Sequence, residues 1–281
     1  MILPDYHIHT TLCNHAVGEM EEYVERAIER GLREIGFSDH MPVMPEPHLC
    51  MGFDQVQGYV DRVIELRERY KDRITIKLGC EMDIEHDRID EIKDLAASYP
   101  FDYIIGSIHY LDGWPFDQDQ YSDTFRKGDV DAIFARFFEA VARAAETGLS
   151  DIVGHIDNIK CMGFRPSGDM TAHYERLAAA VAASGLAVEV NTSGLDKLCK
   201  EQYPSAELLK VLRSHDVPVT VGSDSHNPDH IGRHFDVALS LLEECGYDSV
   251  VYFTDRKRIM RPLRPSGGPE QKHPSHGTGT R

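Results

Sequence analysis

The amino-acid sequence predicts an α/β fold built around a parallel sheet, either open or closed into a barrel. Short apolar, β-rich runs alternate along the chain with longer stretches in which apolar residues recur at i, i+3 and i+4. Strand–helix alternation of this kind is typical of parallel sheets. The length of 281 residues fits one such domain and a tail, because α/β barrels often reach about 200–250 residues as a single unit.

Seven strands are predicted, each a short apolar run. They cover residues 4–9, 33–38, 74–80, 102–108, 151–155, 186–191 and 217–223. Amphipathic helices are predicted over residues 19–30, 55–70, 129–147, 170–184, 205–214 and 234–245. Four glycines follow predicted helices, where a residue with positive φ often ends a helix. They are Gly31, Gly148, Gly185 and Gly246.

Two long segments and the C-terminus break the alternation. Residues 41–53 are rich in proline, and residues 110–128 contain Trp114, the only tryptophan. We expect both to be loops, and long loops in compact domains are often functional lids. Beyond Pro262 the periodicity ends and Pro, Gly, Ser, His and Thr dominate. Residues 1–262 are therefore predicted to form the domain and residues 263–281 a disordered tail.

Net charge, cysteine spacing and the length of apolar runs limit the partners, the disulfide content and the location expected for this protein. The formal net charge of -17 disfavours nucleic acid and anionic membranes as partners. The six cysteines include no Cys-x-x-Cys pair, so free buried thiols are expected rather than a disulfide framework. The N-terminus lacks the pattern of a signal peptide, and no apolar run is long enough for a membrane span. We expect a cytoplasmic monomer or small homo-oligomer that acts on a small molecule.

Imidazoles and carboxylates recur at the ends of the predicted strands. In chain order they are His7, His9 and His15, then Asp39 and His40, then Glu81 and Asp83, then His109, then His155 and Asp157, then Glu189, and finally Asp224 and His226. The carboxyl ends of parallel strands carry the chemistry of α/β folds. Side chains at i and i+2 of a strand project to the same side, so a His-x-His pair can hold one ion. Imidazoles with carboxylates suit Zn²⁺, Mn²⁺ or Fe²⁺, and their recurrence predicts a metal centre.

Histidines elsewhere are expected to be solvated or locally hydrogen-bonded. They are His48, His86, His173, His215, His230 and His234, with His273 and His276 in the tail. Their positions in predicted helices and loops give no reason to place them at the metal centre.

The segments around the strand ends resemble the PHP (polymerase and histidinol phosphatase) family, and within it the histidinol-phosphatase branch. The resemblance runs over about residues 4–262. It rests on Asp-Tyr-His-Ile-His-Thr, Gly-Phe-Ser-Asp-His-Met-Pro, Gly-Cys-Glu-Met-Asp, Gly-Ser-Ile-His-Tyr-Leu-Asp-Gly-Trp, Gly-His-Ile-Asp, Glu-Val-Asn-Thr-Ser-Gly and Gly-Ser-Asp-Ser-His. It implies a distorted (β/α)7 TIM-like barrel with a trinuclear metal site, and hydrolysis of L-histidinol phosphate to L-histidinol and phosphate in histidine biosynthesis.

The resemblance also implies a ligand set for three divalent ions, which would be Zn, Mn or Fe. One ion would be held by His7, His9, Glu81 and Asp224, a second by Glu81, His109 and His155, and a third by His15, His40 and His226. All these positions carry a competent ligand in this chain. Of these residues, Glu81, Asp224 and His226 are also expected to be catalytic.

The substrate-binding residues are less strongly indicated than the ligands. Where the family leads us to expect a guanidinium after Asn-Thr-Ser-Gly, this chain has Lys197, which offers a point charge and no bidentate fork. Other candidates for the phosphate are Lys160, Arg165 and Arg233, for which exposed salt-bridge roles remain open. Candidates for the substrate ammonium are Asp112, Asp117 and Asp119, and Asp157 or Asp39 are candidates to tune the proton for the leaving group.

Three alternatives to a specific histidinol-phosphatase remain open on the residues alone. The nearest is a broader PHP-family phosphoesterase that acts on nucleotides or other phosphomonoesters. Another is an amidohydrolase-like metal hydrolase, because histidine-lined barrels also cleave amides and lactones. The last is a metal-binding domain with a structural or regulatory role and no catalysis.

Overall fold

The α/β fold predicted from the sequence is confirmed by a computed structural model, which describes residues 3–84 and 86–264. The strands in this part of the chain are β1 (Glu34–Phe37), β2 (Thr75–Asp83), β3 (Tyr103–Ser107), β4 (Tyr110–Leu111), β5 (Trp114–Pro115), β6 (Ile152–Val153), β7 (Ala187–Asn191), β8 (Val219–Gly222), β9 (Ser249–Thr254) and β10 (Lys257–Pro262). Six of them form one parallel sheet in the order β1-β2-β3-β6-β7-β8. The carboxyl ends of these strands therefore meet on one side of the molecule.

The segment 5–9 closes this sheet into a distorted barrel. Asp5 N–H donates to Glu34 O of β1, and Tyr6 N–H donates to Val221 O of β8. Further along, Ile8 forms a parallel bridge with Ser225. The predicted first strand is thus present as a segment that bridges both edges of the sheet, although its pairing is too short to form a continuous ladder.

The helices lie close to where the sequence predicts them. In the described residues they are α1 (Met20–Glu29), α2 (Val56–Tyr70), α3 (Ile89–Ser98), α4 (Asp123–Lys127), α5 (Val130–Glu146), α6 (Thr171–Ser184), α7 (Ala206–Ser214) and α8 (Phe235–Glu244). Asp129 and Ser205 cap α5 and α7 by accepting backbone N–H groups. The glycines predicted past helix ends have positive φ, with values of 76° for Gly31, 66° for Gly148, 69° for Gly185 and 84° for Gly246.

Three parts of the fold differ from the sequence prediction. Helix α3 was not predicted, although Ile92 and Leu95 give it a buried face. The antiparallel pair β9–β10 was not predicted either, and Val251 and Phe253 of β9 pack with Tyr6 in the core. The loop prediction for residues 110–128 is wrong in part, because this segment contains the β4–β5 hairpin and α4.

The predicted domain boundary coincides with the end of β10. Just beyond it, Leu263 is buried and Arg264 pairs with Glu243. The remainder of the predicted tail, from residue 265, lies outside the described residues. Within the described part of the chain, no helix is long and apolar enough to cross a membrane. The six cysteines are free, and five of them are buried.

Candidate metal centre

The nine residues predicted as ligands meet at the carboxyl ends of the barrel strands. His7 and His9 come from the closing segment, His40 follows β1, and Glu81 lies near the end of β2. The remaining five are His15 in the loop before α1, His109 after β3, His155 after β6, and Asp224 and His226 after β8. Side chains that are up to 219 positions apart in sequence therefore face one small volume.

Glu81 occupies the middle of this cluster. Its side chain is buried, and imidazole nitrogens surround both carboxylate oxygens. The nitrogen–oxygen distances to Glu81 are 3.2 Å for His7, 3.4 Å for His9, 3.1 Å for His40, 3.7 Å for His109 and 3.0 Å for His155. Asp224 closes the other side, with Oδ1 3.4 Å from His9 Nε2 and 3.8 Å from His7 Nε2. Glu81 and Asp224 therefore lie on two sides of His7 and His9, where both carboxylates can bind the same ion as these imidazoles.

Several of these buried atoms have no hydrogen-bond partner among the described residues. They are Nε2 of His7, Nε2 of His9, Nδ1 of His40 and Oε2 of Glu81. Leaving a buried polar atom unsatisfied costs about 1–3 kcal/mol. Four such atoms in one small cluster therefore indicate that the cluster binds a ligand. Nitrogen and carboxylate oxygen donors fit a divalent ion of the zinc, manganese or iron type.

Ligand groups of the right size are present within the described part of the chain. In each group below, the donor atoms lie within 4.8 Å of one another. The groups are His7–His9–Asp224, His7–Glu81–His155, His9–His40–Glu81, His15–His40–His226 and His9–Cys13–His226. The group His15–His40–His226 is called the outer group below. In it, Nε2 of His226 and Nε2 of His15 face each other at 3.0 Å. The residues therefore fit a site for divalent metal.

Carboxylates behind the imidazoles hold them in place. Glu189 on β7 lies 2.7 Å from Nδ1 of His7 and also accepts the backbone N–H of His155. Asp83 lies 3.1 Å from Nδ1 of His109. An imidazole whose far nitrogen is bound in this way presents the other nitrogen in a fixed direction, which is the usual arrangement behind metal-ligating histidines.

Gly222, the last residue of β8, makes room for one of these contacts. A Cβ atom at this position would collide with Glu189 Oε1 and would lie 2.6 Å from His7 Cβ. Only glycine therefore allows Glu189 to approach His7 across the barrel. Two residues later, Asp224 has a φ of 51°, a left-handed conformation in which a non-glycine residue is uncommon.

The charges of the cluster raise the pKa of His7 and His109 and lower the pKa of Glu81. Burial opposes the charged form of His7, but Glu189 and Glu81 outweigh it and raise the pKa of His7 well above the usual value. Burial likewise opposes the charged form of His109, yet Asp83 and Glu81 raise its pKa to about 10. For Glu81, burial favours the neutral acid, but the surrounding histidines, led by His7, hold its pKa well below the usual value.

A cavity of about 590 Å³ opens above the cluster. The segments on either side of its mouth are 41–53 and 110–128, which supply Met44, His48, Leu49, Tyr110, Asp117 and Gln118 to its wall. Glu46 ties the two segments together, because its Oε2 accepts hydrogen bonds from Tyr110 Oη at 2.8 Å and Gln118 Nε2 at 2.6 Å. Both predicted lids therefore lie over the site. His48 and His230 also line the cavity, a position that the sequence analysis did not predict for them.

The four cations predicted to bind substrate fall into two pairs. Lys197 and Arg233 line the cavity above the cluster. Arg233 is fixed there by the backbone oxygens of Ser223 and Asp224, at 3.0 and 3.2 Å. The side chain of Lys197 forms no hydrogen bond or ion pair with any described residue. Its ammonium group is therefore available to an anion.

Lys160 and Arg165 lie elsewhere, in the wall of a separate cavity. Lys160 is buried, and its ammonium is 2.8 Å from Asp157 and 2.9 Å from Glu201. Arg165 pairs with the same Glu201 at 3.1 Å. The structure does not bring these two side chains to the cluster, so a role in substrate binding is unsupported for both. Their charges instead neutralise the buried Asp157 and the partly exposed Glu201.

The acidic candidates separate in the same way. Asp117 lines the cavity, whereas Asp112 pairs with Arg136 on the surface and Asp119 begins a short 3₁₀ turn outside the cavity lining. Asp39 is buried behind the cluster, 3.4 Å from His9 Nδ1. Asp157 is held by Lys160 and does not line the cavity. Of these five acids, only Asp117 faces the space above the metal centre.

Known proteins provide independent information about this arrangement. A family model described as "PHP domain" matches residues 5–193. A relative from Deinococcus radiodurans, named "Probable histidinol-phosphatase", is 31% identical over 263 residues, which cover 92% of this chain and 99% of the relative. The "Histidinol-phosphatase" of Bacillus subtilis is 25% identical over 267 residues, which cover 86% of this chain and 98% of the relative.

A solved structure shares the fold at lower identity. It is a histidinol phosphate phosphatase from Lactococcus lactis complexed with zinc, L-histidinol and phosphate, and it is similar to this chain with a TM-score of 0.80. The identity is 23%, and the match covers 92% of this chain and 98% of the other. The distorted TIM-like barrel expected from the sequence is thereby confirmed. From the domain match and the relationship over nearly its full length, this chain belongs to the PHP domain family.

Proposed function

We propose that this protein is a histidinol-phosphatase, which hydrolyses L-histidinol phosphate to L-histidinol and phosphate with divalent metal ions. One observation carries the proposal. Buried imidazole and carboxylate atoms without partners converge under a cavity of about 590 Å³ that also holds two cationic side chains. Full-length relatives that bear the name histidinol-phosphatase support the choice of substrate. The proposal includes a cytoplasmic location, a monomer or small homo-oligomer, and a catalytic domain that ends near residue 262.

Three divalent ions, Zn, Mn or Fe, would be held by the nine residues already described. His7, His9, Glu81 and Asp224 would hold the first ion, Glu81, His109 and His155 the second, and His15, His40 and His226 the third. The distances within the cluster support a bridging role for Glu81, since its carboxylate approaches imidazoles of both of the first two groups and also His40. Bound ions of this kind supply a water of lowered pKa and positive charge for the phosphoryl oxygens.

The phosphate group would be bound above the cluster by Lys197 and Arg233. Arg233 is held against the carbonyls at the end of β8, so its guanidinium is oriented before substrate arrives. Lys197 contributes a mobile point charge. Placing two positive charges where negative charge develops on phosphorus stabilises the transition state of phosphoryl transfer.

Acidic residues of the same cavity would bind the substrate ammonium group. Asp117 from the 110–128 segment is the best placed of the predicted acids, because it lines the same cavity as the cluster. Catalytic roles fall to Glu81, Asp224 and His226, which all face the cavity floor. Neither Asp39 nor Asp157 has an atom in the cavity wall, so direct protonation of the leaving group by either is not part of the proposal.

Steady-state kinetics with a panel of phosphomonoesters test the proposed function. The reconstituted protein should prefer histidinol phosphate to nucleoside monophosphates and to simple aryl phosphates by about 10²-fold or more in kcat/KM, because a site that pairs a substrate ammonium leaves that acid unpaired with other substrates. Comparable kcat/KM across the panel would instead favour the broader phosphoesterase.

Replacing Glu189 with glutamine is expected to weaken metal binding by about 10–100-fold without changing the fold, because loss of a carboxylate behind a ligating histidine has effects of this size. Glutamine keeps the shape of glutamate, but its neutral amide forms a weaker hydrogen bond with Nδ1 of His7 than the carboxylate does. Competition with a chromophoric chelator measures the affinity. Glu175→Gln is the matched control, since Glu175 lies 2.6 Å from His215 on the surface. Equal affinities of the two variants would contradict the role given to Glu189.

Metal binding is expected to release protons at pH 7. In the metal-free protein the pKa of His7 is well above its usual value and that of His109 is about 10. Both imidazoles therefore carry a proton that an ion must displace, and the affinity should rise as the pH is raised from neutral towards 10. Calorimetric titration with Zn²⁺ in two buffers of different ionisation enthalpy counts the protons. Identical heats in both buffers would show that none is released.

A further inference from the structure

Cys13 lies inside the cluster of ligands, although nothing in the predicted ligand set includes it. The residue is fully buried. Its Sγ and one donor atom each of His9 and His226 lie within 4.8 Å of one another. The sulfur thus stands beside the outer group, to which His226 also belongs.

The backbone holds Cys13 in this position from both sides. It ends a 3₁₀ turn, Thr11–Cys13, that is capped by the side chain of Thr10. The Thr10 hydroxyl in turn donates to the carboxylate of Asp39, and the carbonyl oxygen of Cys13 lies 2.6 Å from Nδ1 of His15. The same turn therefore positions a sulfur and an imidazole, and neither can move far without the other.

A second observation points to an ion beside the sulfur. Nε2 of His226 and Nε2 of His15 face each other at 3.0 Å, close to the separation of about 3.4 Å between two nitrogens that bind one tetrahedral zinc ion. Around a tetrahedral zinc ion, with bonds of about 2.3 Å to sulfur and about 2.0–2.1 Å to nitrogen, a sulfur and a nitrogen stand about 3.6 Å apart. The sulfur lies within 4.8 Å of a donor atom of His226, so a contraction of at most about 1.2 Å brings the two to that separation.

We propose that Cys13 is a sulfur ligand of the ion held next to His226, and that it makes this position selective for Zn²⁺ over Mn²⁺. The inference rests on the proposed function, since it assumes the metal centre. On binding, the thiol gives its proton to solvent and loses its hydrogen bond to Thr10 O, which is 3.1 Å long. A sulfur lone pair then forms the bond to the ion. Thiolate sulfur favours zinc, whereas manganese favours oxygen ligands.

A purely structural Cys13 would behave differently. It would keep its thiol proton, which it donates to Thr10 O, and would serve only to hold the turn that carries His15. In that case no sulfur–metal bond would form, and replacement by serine, which also donates to a carbonyl, would leave the choice of metal unchanged.

Cobalt substitution of the full-length protein distinguishes the two roles. We expect a near-ultraviolet thiolate-to-cobalt charge-transfer band in the wild type, and its loss in Cys13→Ser while the visible cobalt bands remain. The Zn²⁺ affinity of Cys13→Ser should fall by about tenfold or more while the Mn²⁺ affinity changes little. The control is Cys245→Ser, because Cys245 is buried beyond the end of α8, near Ala206 O. This control should retain the band.

A cobalt-loaded wild type without the band, or a Cys13→Ser variant that keeps it, would overturn the proposal. Should Cys13→Ser fail to fold, X-ray absorption of the zinc-loaded wild type decides, since one sulfur at about 2.3 Å is expected and its absence refutes the ligand. If cobalt-loaded protein hydrolyses histidinol phosphate but lacks the band, only the role of Cys13 fails. If the wild type binds no metal, the proposed function fails with it.

Discussion

Glu81→Gln is expected to lower kcat/KM for histidinol phosphate by about 10³-fold or more, since groups that organise charge at the reacting centre have effects of this size or larger. Five imidazoles approach the two oxygens of Glu81 at 3.0–3.7 Å. An amide of the same shape offers one oxygen and an NH₂ group that cannot bind a metal ion. Phosphate release, measured together with the metal content of the purified variant, checks the prediction.

Glu34→Gln is the matched control for the loss of activity expected in Glu81→Gln. Glu34 is also a buried strand glutamate, but it lies at the start of β1, at the opposite end of the barrel, where it accepts a hydrogen bond from the Tyr6 hydroxyl. Glu34→Gln should keep near-wild-type activity if it folds, even if its stability falls. If Glu81→Gln retained full activity with three bound ions, Glu81 would not be the residue that joins the first two groups.

Removing the metal ions is expected to abolish activity and to lower the melting temperature by at least about 5–10 °C, the effect of one ion, relative to protein in excess Zn²⁺. Binding to the folded state alone contributes about 2.7 kcal/mol when the free ion is at 100 times its Kd. For a chain of this length, 1 kcal/mol shifts Tm by about 2–4 °C. Without ions, the buried donors of His7, His9 and Glu81 are left without partners. Thermal unfolding followed by circular dichroism, with and without chelator, measures the shift.

Calcium provides the control for this experiment, because it takes six to eight oxygen ligands and has little affinity for imidazole. Adding Ca²⁺ to the metal-free protein should restore neither the melting temperature nor the activity. Full recovery with Ca²⁺, or a melting temperature that does not respond to any transition metal, would contradict a cluster built from histidines.

The sequence was sufficient for most of the architecture because local signals agree with the tertiary fold. Helices such as α2 and α5 begin and end within one residue of their predicted bounds, since an apolar stripe marks each of them and Asp129 also caps α5. Strands were less predictable. The predicted strand 151–155 is reduced to Ile152–Val153, because the chain turns towards the site at His155. Pairing with neighbours, which a strand's own sequence does not show, decides where a strand ends.

The cluster itself could be predicted because its members stand at strand ends, where a parallel sheet must bring them together. Which carboxylate lies behind which imidazole could not be predicted. Glu189 contacts His7 across 182 positions of sequence, and no local pattern pairs them. The sequence did contain a pattern that points Glu189 towards the site, because Glu189 and Asn191 share a strand face at the predicted end of the sixth strand. On β2, Asp83 and Glu81 are likewise two positions apart and share a strand face.

Substrate contacts were the least predictable part of the site. Lys160 was a reasonable candidate from its place just after a strand end, yet its ammonium is occupied by Asp157 and Glu201. Lys197 has no such partner among the described residues and remains available in the cavity. Whether a surface cation faces a ligand or a neighbouring acid depends on contacts between loops, and the sequence alone does not define these.

The central claim is that three ions in this cluster carry out the hydrolysis of histidinol phosphate. Titrating metal-free protein with Zn²⁺ or Mn²⁺, while phosphate release from histidinol phosphate is followed, tests it most directly. We predict that activity reaches its maximum at three ions per chain and that one equivalent leaves most of it missing. Maximal activity at a single equivalent, or activity that is independent of added metal, would contradict the claim.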